Sequence, residues 1–503
     1  MTFEEEKKLD DTYIMHTFKR KPVCFVEGEG VTVKDEEGKE YLDLLSGIGV
    51  DSLGHCHPRV AEAIAEQAQK LIHVSNYFYI EKRGEVAKLI SEMANECIPT
   101  FFRAPWKTFF ANSGAEANEC AIKLARLWAK KESSGGHIIL VLEGSFHGRT
   151  LATLAATAQP DKQEPFQPLP EGFIAIPPND INALRNIWWE YPGQIAAIMM
   201  EPIQGENGVI PIDPDYLFEA TKLARRNGAL SILDEVQTGF YRCGTYPFMF
   251  QNAGVTPDIF TFAKGVASGM PMGGCVARIE VAEAFEPGDH GSTFGGSNLA
   301  AAAAYATLDT LKIGNFGERV ENMGDYFADK LLALDEITEV RGSGLMIGAI
   351  LKDELKAPFV VDAALDAGFI INATDEHTLR FLPPLIITEK DIDKFIAALP
   401  QICIDSKQKE VEAAEAAKKA AEEEAAAQEE YERLMKEAEN VNANFKEVLE
   451  MLKDKVSNAE DKLGDALKKD AAQKKSSSTE HAAPEDAPGA SNDEEEKPLE
   501  EKN

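Results

Sequence analysis

The sequence of 503 residues predicts an α/β protein built on a mainly parallel sheet. Up to about residue 399, short apolar runs alternate with amphipathic helical stretches, a pattern typical of strands covered by helices. Four runs, at Ile138–Leu142, Ile195–Met200, 229–233 and 259–263, are almost continuously apolar, as expected for strands buried on both faces. Each ends at a polar or glycine-rich segment. Because ligands of open α/β sheets bind beyond the carboxyl ends of the strands, these four ends are expected to form one site.

Composition and charge exclude several classes of function. The chain is 44% hydrophobic and 27% charged, which suits a protein with a sizeable core. No stretch approaches the ~18 apolar residues that cross a bilayer, and the first eight residues show no signal-peptide pattern. We therefore expect no membrane contact and a cytoplasmic location. The formal charge of −33 would repel nucleic acid, so nucleic acid is not an expected partner.

The character of the chain changes after Cys403. The last hundred residues, 404–503, carry 28 acidic and 16 basic side chains. Residues 404–469 are rich in Ala, Glu and Lys with a thin apolar stripe, which predicts a charged helical extension. Residues 470–503 contain almost no hydrophobic side chains and cannot bury enough surface to offset the loss of chain entropy. This end is predicted to be a disordered acidic tail.

A small-residue turn at residues 109–119, FFANSGAEANE, has the features of a phosphate-binding segment. An apolar strand, a turn and the start of a helix follow one another there. Such a start leaves free backbone N–H groups around Gly114 and Ala115, at the positive end of the helix dipole. An ordinary capped turn has the same pattern, so the segment alone leaves both interpretations open.

Two ionisable side chains, Asp234 and Lys264, stand at the ends of predicted strands. A cofactor that stores electrons in a pyridine ring needs a carboxylate to keep its ring nitrogen protonated and a lysine to bind its aldehyde. Most lysines at strand ends are exposed and inert. Here Gly265 and the glycine-containing segment 267–274 permit close backbone approach. Desolvation would lower the pKa of Lys264 and favour its nucleophilic form.

Together these segments resemble the class III aminotransferases of fold type I, and within them the acetylornithine aminotransferase group. The resemblance runs from about residue 10 to residue 400 and includes GIGVDSLGHCHP at 47–58. It implies a fold type I architecture with a large cofactor-binding domain at 66–305. A smaller α+β domain would form from both chain ends, at 1–65 and 306–403. It also implies pyridoxal 5'-phosphate as cofactor and a homodimer with shared active sites.

The resemblance implies roles for individual residues. The expected cofactor contacts are Gly114 and Ala115 to the phosphate, Phe146 stacked on the ring, Asp234 at the ring nitrogen, Glu235 and Val236 at the strand end, Gln237 near the phenolic oxygen, and Lys264 as the imine-forming amine. In HGSTFGG at 290–296, Thr293 would contact the phosphate bound by the partner subunit and Ser292 would lie near substrate. Arg149 would bind the α-carboxylate of the substrate. Arg380 would bind a second carboxylate unless Glu206 pairs with it.

The expected reaction is the transfer of the distal amino group of N2-acetylornithine to 2-oxoglutarate, a step of arginine biosynthesis. Departures from the family pattern at Asn207 and Tyr241 could reshape the substrate pocket. An ornithine or 4-aminobutyrate aminotransferase, an aminomutase and a non-catalytic interaction protein therefore remain alternatives. No metal site is expected, because His55 and His57 have no further candidate ligands near them in the sequence.

Overall fold

The computed structural model describes residues 2–96, 98, 103, 105–133, 135–440 and 448–459, without the side chains of 436–440. The chain divides into two compact units between Glu410 and Val411. None of the helices in the described ranges is long and apolar enough to cross a bilayer.

The first unit contains seventeen strands among its described residues. They are β1 (Phe25–Glu29), β2 (Thr32–Asp35), β3 (Glu40–Asp43), β4 (Trp106–Ala111), β5 (Ile138–Leu142), β6 (Phe173–Ile176), β7 (Ile195–Met200), β8 (Ile203–Gln204), β9 (Ile210–Pro211), β10 (Leu230–Asp234), β11 (Ile259–Phe262), β12 (Gly273–Arg278), β13 (Ile337–Ser343), β14 (Met346–Leu351), β15 (Phe369–Ile370), β16 (Asn372–Ala373) and β17 (Thr378–Phe381).

Helices cover or connect these strands. They are α1 (Phe3–Tyr13), α2 (Ser46–Gly49), α3 (Pro58–Lys70), α4 (Arg83–Ala94), α5 (Gly114–Glu132), α6 (Leu151–Ala156), α7 (Pro160–Gln163), α8 (Ile181–Glu190), α9 (Pro214–Arg226), α10 (Met249–Asn252), α11 (Ile279–Ala282), α12 (Asn298–Ile313), α13 (Phe316–Leu332), α14 (Ala357–Asp366) and α15 (Glu389–Asn440). Short 3-10 turns lie at Glu164–Phe166 and Lys264–Val266.

Seven strands form the central sheet, in the order β4-β12-β11-β10-β7-β5-β6. Every neighbouring pair from β11 to β6 is parallel, whereas β12 runs antiparallel to both β11 and β4. The prediction of a mainly parallel sheet is confirmed. Two of the four predicted strands have the expected bounds, and the other two are shifted or shortened by one residue. The carboxyl ends of β5, β7, β10 and β11 consequently lie along one edge of the sheet.

Helices cover both faces of this sheet, which explains why its strands are continuously apolar. Along β5 the side chains alternate between two cores. Ile139 and Val141 pack in one core with the buried face of α5, and Leu140 and Leu142 pack in the other core on the opposite face. A strand with a polar face would leave one of these cores unfilled.

Two smaller sheets accompany the central one, and the first of them joins segments from the two ends of the chain. One has the order β1-β2-β3-β15, and its last pair is parallel, with Phe369 opposite Leu42. The other has the order β13-β14-β17-β16 and carries Arg380 on β17. The pairing of β3 with β15 joins an early and a late segment, as a smaller domain formed from both chain ends requires. The predicted domain boundaries at 65/66 and 305/306 stay predictions.

The helical extension continues a helix that begins earlier than residue 404. Helix α15 starts at Glu389 and buries Ile392, Phe395 and Leu399, which lie at helical spacing. The Ala-, Glu- and Lys-rich sequence that follows has high helix propensity, so nothing ends the helix at Cys403. Residues 448–459 are also helical. The predicted tail at 470–503 lies outside the described residues.

Candidate active site

The predicted site residues that follow β5, β7, β10 and β11 lie close together at one edge of the central sheet. Asp234 is the last residue of β10, and Lys264 lies two residues beyond the end of β11. Charges on Glu201, Glu206, Asp234 and Arg380 all act on the Lys264 amine. The four strand ends therefore form one cluster of ionisable groups, as the sequence predicts.

Asp234 is buried and firmly held by hydrogen bonds from three segments. Its Oδ2 accepts from Asn118 Nδ2 at 2.7 Å and from His147 Nδ1 at 2.8 Å. Its Oδ1 accepts from the backbone N–H of Val236 at 3.0 Å. Because a carboxylate can only accept, His147 carries its proton on Nδ1 in this arrangement. Helix α5, the loop after β5 and the turn after β10 are thereby fixed to one carboxylate.

One acceptor position of Asp234 stays available, which fits a protonated ring nitrogen. Thr261 Oγ1 lies 3.4 Å from Asp234 Oδ1, but its single proton is donated to Asn118 Oδ1 at 2.7 Å. Three donors therefore occupy an ionised carboxylate that offers about four lone-pair positions. A pyridine nitrogen that keeps its proton can supply the fourth donor. Asp234 fits the role predicted for it toward pyridoxal phosphate.

Lys264 combines a strained backbone with a desolvated amine. Its φ of 45° lies in the left-handed region, which residues with a Cβ seldom adopt and which often marks functional positions. Burial lowers the pKa of the amine, and Glu206, the next strongest influence, opposes that shift. The side chain makes no hydrogen bond within the described residues. A lowered pKa favours the neutral amine, which is the form that attacks a carbonyl group.

The start of α5 has the geometry that a phosphate cradle would need. Ser113 caps the helix and accepts the N–H of Glu116 at 3.2 Å. The N–H groups of Gly114 and Ala115 are the first two of the helix, so they have no partner within it. A Cβ on Gly114 would lie 2.8 Å from Val236 Cγ1. Only glycine lets the helix start approach the turn that follows Asp234, and this approach places phosphate donors beside the ring-nitrogen site.

A buried carboxyl group, Glu201, joins the two loops that border the site. Its Oε1 accepts the N–H of Phe146 at 2.8 Å and its Oε2 accepts the N–H of Gly205 at 3.2 Å. Burial raises the pKa of Glu201 to about 7. The predicted stacking residue Phe146 is half-buried, and the Cζ of exposed Arg149 lies 5.6 Å from its ring centre. The Phe146 ring and the Arg149 guanidinium are therefore neighbours at the entrance of the site.

Arg380 forms a buried ion pair with Glu206. Arg380 is 1% exposed, and its Nη1 lies 2.5 Å from Glu206 Oε1. The same nitrogen reaches the carbonyl of Gly205 at 2.9 Å and Gln237 Oε1 at 3.3 Å, while Nη2 donates to Asn372 at 2.9 Å. Burial alone would raise the pKa of Glu206, but Arg380 outweighs it and the pKa is lowered. Arg380 and Glu206, which are expected to pair when no second carboxylate is bound, are therefore in contact.

Glu235 lies beside the site but directs its side chain away from it. Its carboxylate accepts from Thr238 Oγ1 at 2.5 Å and from the N–H groups of Met249 and Phe250 at 3.0 and 2.8 Å. These bonds hold the loop 238–250 against the end of β10. Only the backbone of Glu235 stays available for the contact with cofactor that the sequence predicts.

Ser292 and Thr293 lie apart from the cluster, near the β4 edge of the sheet. Ser292 Oγ lies within hydrogen-bonding distance of Asn112 Nδ2, 3.2 Å away, and the Ser292 carbonyl accepts from Asn76. A Cβ on the neighbouring Gly295 would lie 2.1 Å from the carbonyl oxygen of Phe110, the next-to-last residue of β4. In the described residues no hydrogen bond joins Ser292 or Thr293 to Asp234 or Lys264. This separation agrees with the expectation that the segment serves a neighbouring subunit.

Sequence reasoning did not identify every group that holds the site together. Asn118 and Thr261 orient the Asp234 network, and Glu201 ties the two loops. Glu201 follows a buried strand directly, as Asp234 ends one, and this shared position is the signal that could have found it. Nothing in the local sequence marks Asn118 or Thr261, because Asn118 contacts Asp234 and Thr261 from segments 116 and 143 residues away.

Comparison with known proteins agrees with this geometry. The sequence pattern of the family described as aminotransferase class-III matches residues 14–403. An acetylornithine aminotransferase from Methanothermobacter thermautotrophicus is 45% identical over 80% of this chain and its own entire length. One from Aquifex aeolicus is 43% identical over 78% of this chain and all of its own.

Solved structures share the fold. An ornithine aminotransferase from Toxoplasma gondii has a TM-score of 0.74 at 31% identity and covers 81% of this chain and 96% of its own. An acetylornithine aminotransferase from Elizabethkingia anophelis has a TM-score of 0.69 at 33% identity, covering 80% and 100%. Given the extent of these matches and a site whose residues fit pyridoxal phosphate, the chain belongs to the class-III aminotransferases, which depend on that cofactor.

Proposed function

We propose that this enzyme transfers the distal amino group of N2-acetylornithine to 2-oxoglutarate, giving N-acetylglutamate 5-semialdehyde and glutamate in the cytoplasm, as a step of arginine biosynthesis. Relatives at 41–45% identity, archaeal and bacterial, carry the name acetylornithine aminotransferase. The observation that carries the proposal is the Arg380–Glu206 ion pair near the Lys264 amine. Such a pair suits an enzyme whose two amino donors differ by one carboxylate.

Several side chains would divide the work of the reaction. Bound pyridoxal phosphate supplies a carbonyl group that takes up an amino group and a ring that accepts electrons. Asp234 would hold the proton on the ring nitrogen, and the amides of Gly114 and Ala115 would bind the phosphate. Burial lowers the pKa of the Lys264 amine and so favours its neutral form, whose Nζ would accept the proton from the substrate carbon and deliver it to the cofactor.

Arg380 would discriminate between the two donors through Glu206. Glutamate brings a carboxylate that an arginine binds bidentately, after Glu206 moves aside. N2-acetylornithine brings uncharged methylenes to the same place, and Glu206 then neutralises Arg380. Without that carboxylate, a desolvated cation would face an apolar chain, which is costly. Arg149, on the other side of the site, would bind the remaining carboxylate of either donor.

We also propose a homodimer in which each subunit completes the site of the other. Large apolar side chains lie exposed in three segments of the chain, a feature expected of an interface. They include Tyr13, Met15 and Phe18 near the start, Tyr77 and Tyr79, and Phe294, with exposed fractions between 61% and 103%. Phe294 directly follows Thr293, so burying this surface would carry Thr293 to a partner.

Half-reactions with a panel of amino donors test the proposed reaction. N2-acetylornithine should give the highest kcat/KM, ahead of ornithine and 4-aminobutyrate, and turnover should require 2-oxoglutarate. Lys264→Ala should lower turnover by at least about a hundredfold, since the proton-transferring amine is gone. Lys222→Ala, which changes a half-buried lysine on α9 that pairs with Glu219, is the matched control. A preference for ornithine or 4-aminobutyrate, or turnover without a keto acid, would contradict the proposal.

Glu206→Gln should separate the two donors. The variant leaves Arg380 without its counter-charge, so KM for N2-acetylornithine should rise roughly tenfold, corresponding to about 1.4 kcal/mol. KM for glutamate should stay the same or fall, because Arg380 no longer has to be released. Glu132→Gln, at the exposed end of α5, should change neither constant. An equal effect on both donors would rule out the discriminating role.

Mixed dimers test the shared site. Lys264→Ala and Thr293→Glu chains are each expected to be inactive alone. If each site takes Thr293 from its partner, a random mixture should recover about a quarter of the wild-type activity, because half of the dimers hold one intact site. If Thr293 serves its own chain, mixing restores nothing. Light scattering of the purified protein should give the mass of a dimer or a larger even assembly.

A further inference from the structure

Two cationic side chains approach the ring of Phe146. Arg149 Cζ lies 5.6 Å from the ring centre, and Lys162 Nζ lies 5.9 Å from it. Arg149 belongs to the loop after β5, whereas Lys162 belongs to the short helix α7. Arg149 is a predicted carboxylate binder, and the sequence motifs assign no role to Lys162. The structure thus adds a second positive charge to the mouth of the site.

Neither cation is neutralised within the described residues. Arg149 and Lys162 form no ion pair there, and the hydrogen bond of the Lys162 ammonium goes to the neutral amide of Gln159. Arg380, in contrast, is paired with Glu206. Acidic residues outnumber basic ones by 85 to 52 in this chain, so two neighbouring cations that form no ion pair with a carboxylate among the described residues are unexpected, although Glu206 and Asp161 lie near enough to act on Lys162. Like charges repel, and a bound anion would remove the repulsion.

The surroundings of Lys162 leave space for a ligand. Lys162 is half-buried and lines a cavity of about 840 Å³ together with Gln159, Gly144 and Asn207. Gly144 lies two residues before Phe146, and Asn207 directly follows Glu206, so two of the lining residues belong to the loops that carry these site residues. Glu143 and Asp161 also line it, but both are exposed, where water and salt screen their charge. Burial, followed by Arg149, lowers the pKa of Lys162 and outweighs the opposite effects of Glu206 and Asp161.

We propose that Lys162 is a second carboxylate-binding residue of the donor site, acting with Arg149 on the carboxylate remote from the reacting amine. This inference rests on the proposed function. The guanidinium supplies a planar pair of donors, and the ammonium adds a compact point charge on the other side of the anion. The class of ligand is an amino acid or N-acyl amino acid with a carboxylate at the end opposite its reacting amino group. One anion then compensates both cations.

A pair of donors with equal chain length isolates the carboxylate. 5-Aminopentanoate and pentylamine differ only by that group, and Lys162→Met removes the charge while keeping a long apolar stem. KM for 5-aminopentanoate should rise roughly tenfold, the effect of losing a hydrogen bond to a charged group, with kcat changed less than about twofold. KM for pentylamine should not change. Lys162→Arg should restore most of the affinity for 5-aminopentanoate.

Controls separate this role from a structural one. Lys222→Met, which like Lys162→Met changes a half-buried lysine but lies on α9, should leave both donors unaffected, and Lys162→Gln should reproduce Lys162→Met. If both Lys162 variants impair pentylamine as much as 5-aminopentanoate, or if neither impairs 5-aminopentanoate, the proposal is wrong. A wild-type enzyme that rejects N2-acetylornithine would overturn the proposed function alone, because the comparison of the two simpler donors would still decide the role of Lys162.

Discussion

The site is organised around one nearly dehydrated carboxylate, Asp234, which accepts hydrogen bonds from two distant side chains and from the neighbouring N–H of Val236. Asn118 lies on the helix whose start would form the phosphate cradle, and His147 lies in the loop that carries Phe146 and Arg149. Burying a charge without such partners would cost several kcal/mol, so the carboxylate and its donors stabilise each other. The hydrogen bonds to Asp234 therefore also position the start of α5, the Phe146 ring and Arg149 relative to the place where the cofactor's ring nitrogen would lie.

A second set of contacts connects this core of the site to the part that would select the substrate. Glu201 joins the backbone of Phe146 to that of Gly205, and the carbonyl of Gly205 accepts from Arg380. Arg380 lies on β17, which belongs to a different sheet. Its hydrogen bond to the carbonyl of Gly205 therefore connects that sheet to the segment that follows β7. Movement of Glu206 away from Arg380 would take place next to Gly205, whose backbone is tied through Glu201 to the loop that carries Phe146. Binding of a dicarboxylate and placement of the ring are in this way mechanically linked.

Much of the fold could be predicted because it depends on short-range pattern. Strands buried on both faces have to be apolar, and this pattern predicted the first and last residues of β5 and β7 correctly. The start of the extension's first helix was harder to place, since Ala-rich sequence propagates a helix past any change in burial, and α15 begins at Glu389 and runs through the expected boundary at 403. The direction of the Glu235 carboxylate, the bridge made by Glu201 and the approach of Lys162 to Phe146 depend on which distant segments pack together, and composition and spacing do not encode that.

The central claim is that Asp234 keeps the ring nitrogen of the bound cofactor protonated. Nitrogen-15 NMR of enzyme loaded with pyridoxal phosphate labelled at the ring nitrogen measures that proton directly. The account predicts a protonated nitrogen in the wild-type enzyme at neutral and mildly alkaline pH, and an unprotonated one in Asp234→Asn, whose neutral amide no longer stabilises the positive charge. An unprotonated ring nitrogen in the wild-type enzyme, or the same signal in both proteins, would contradict it.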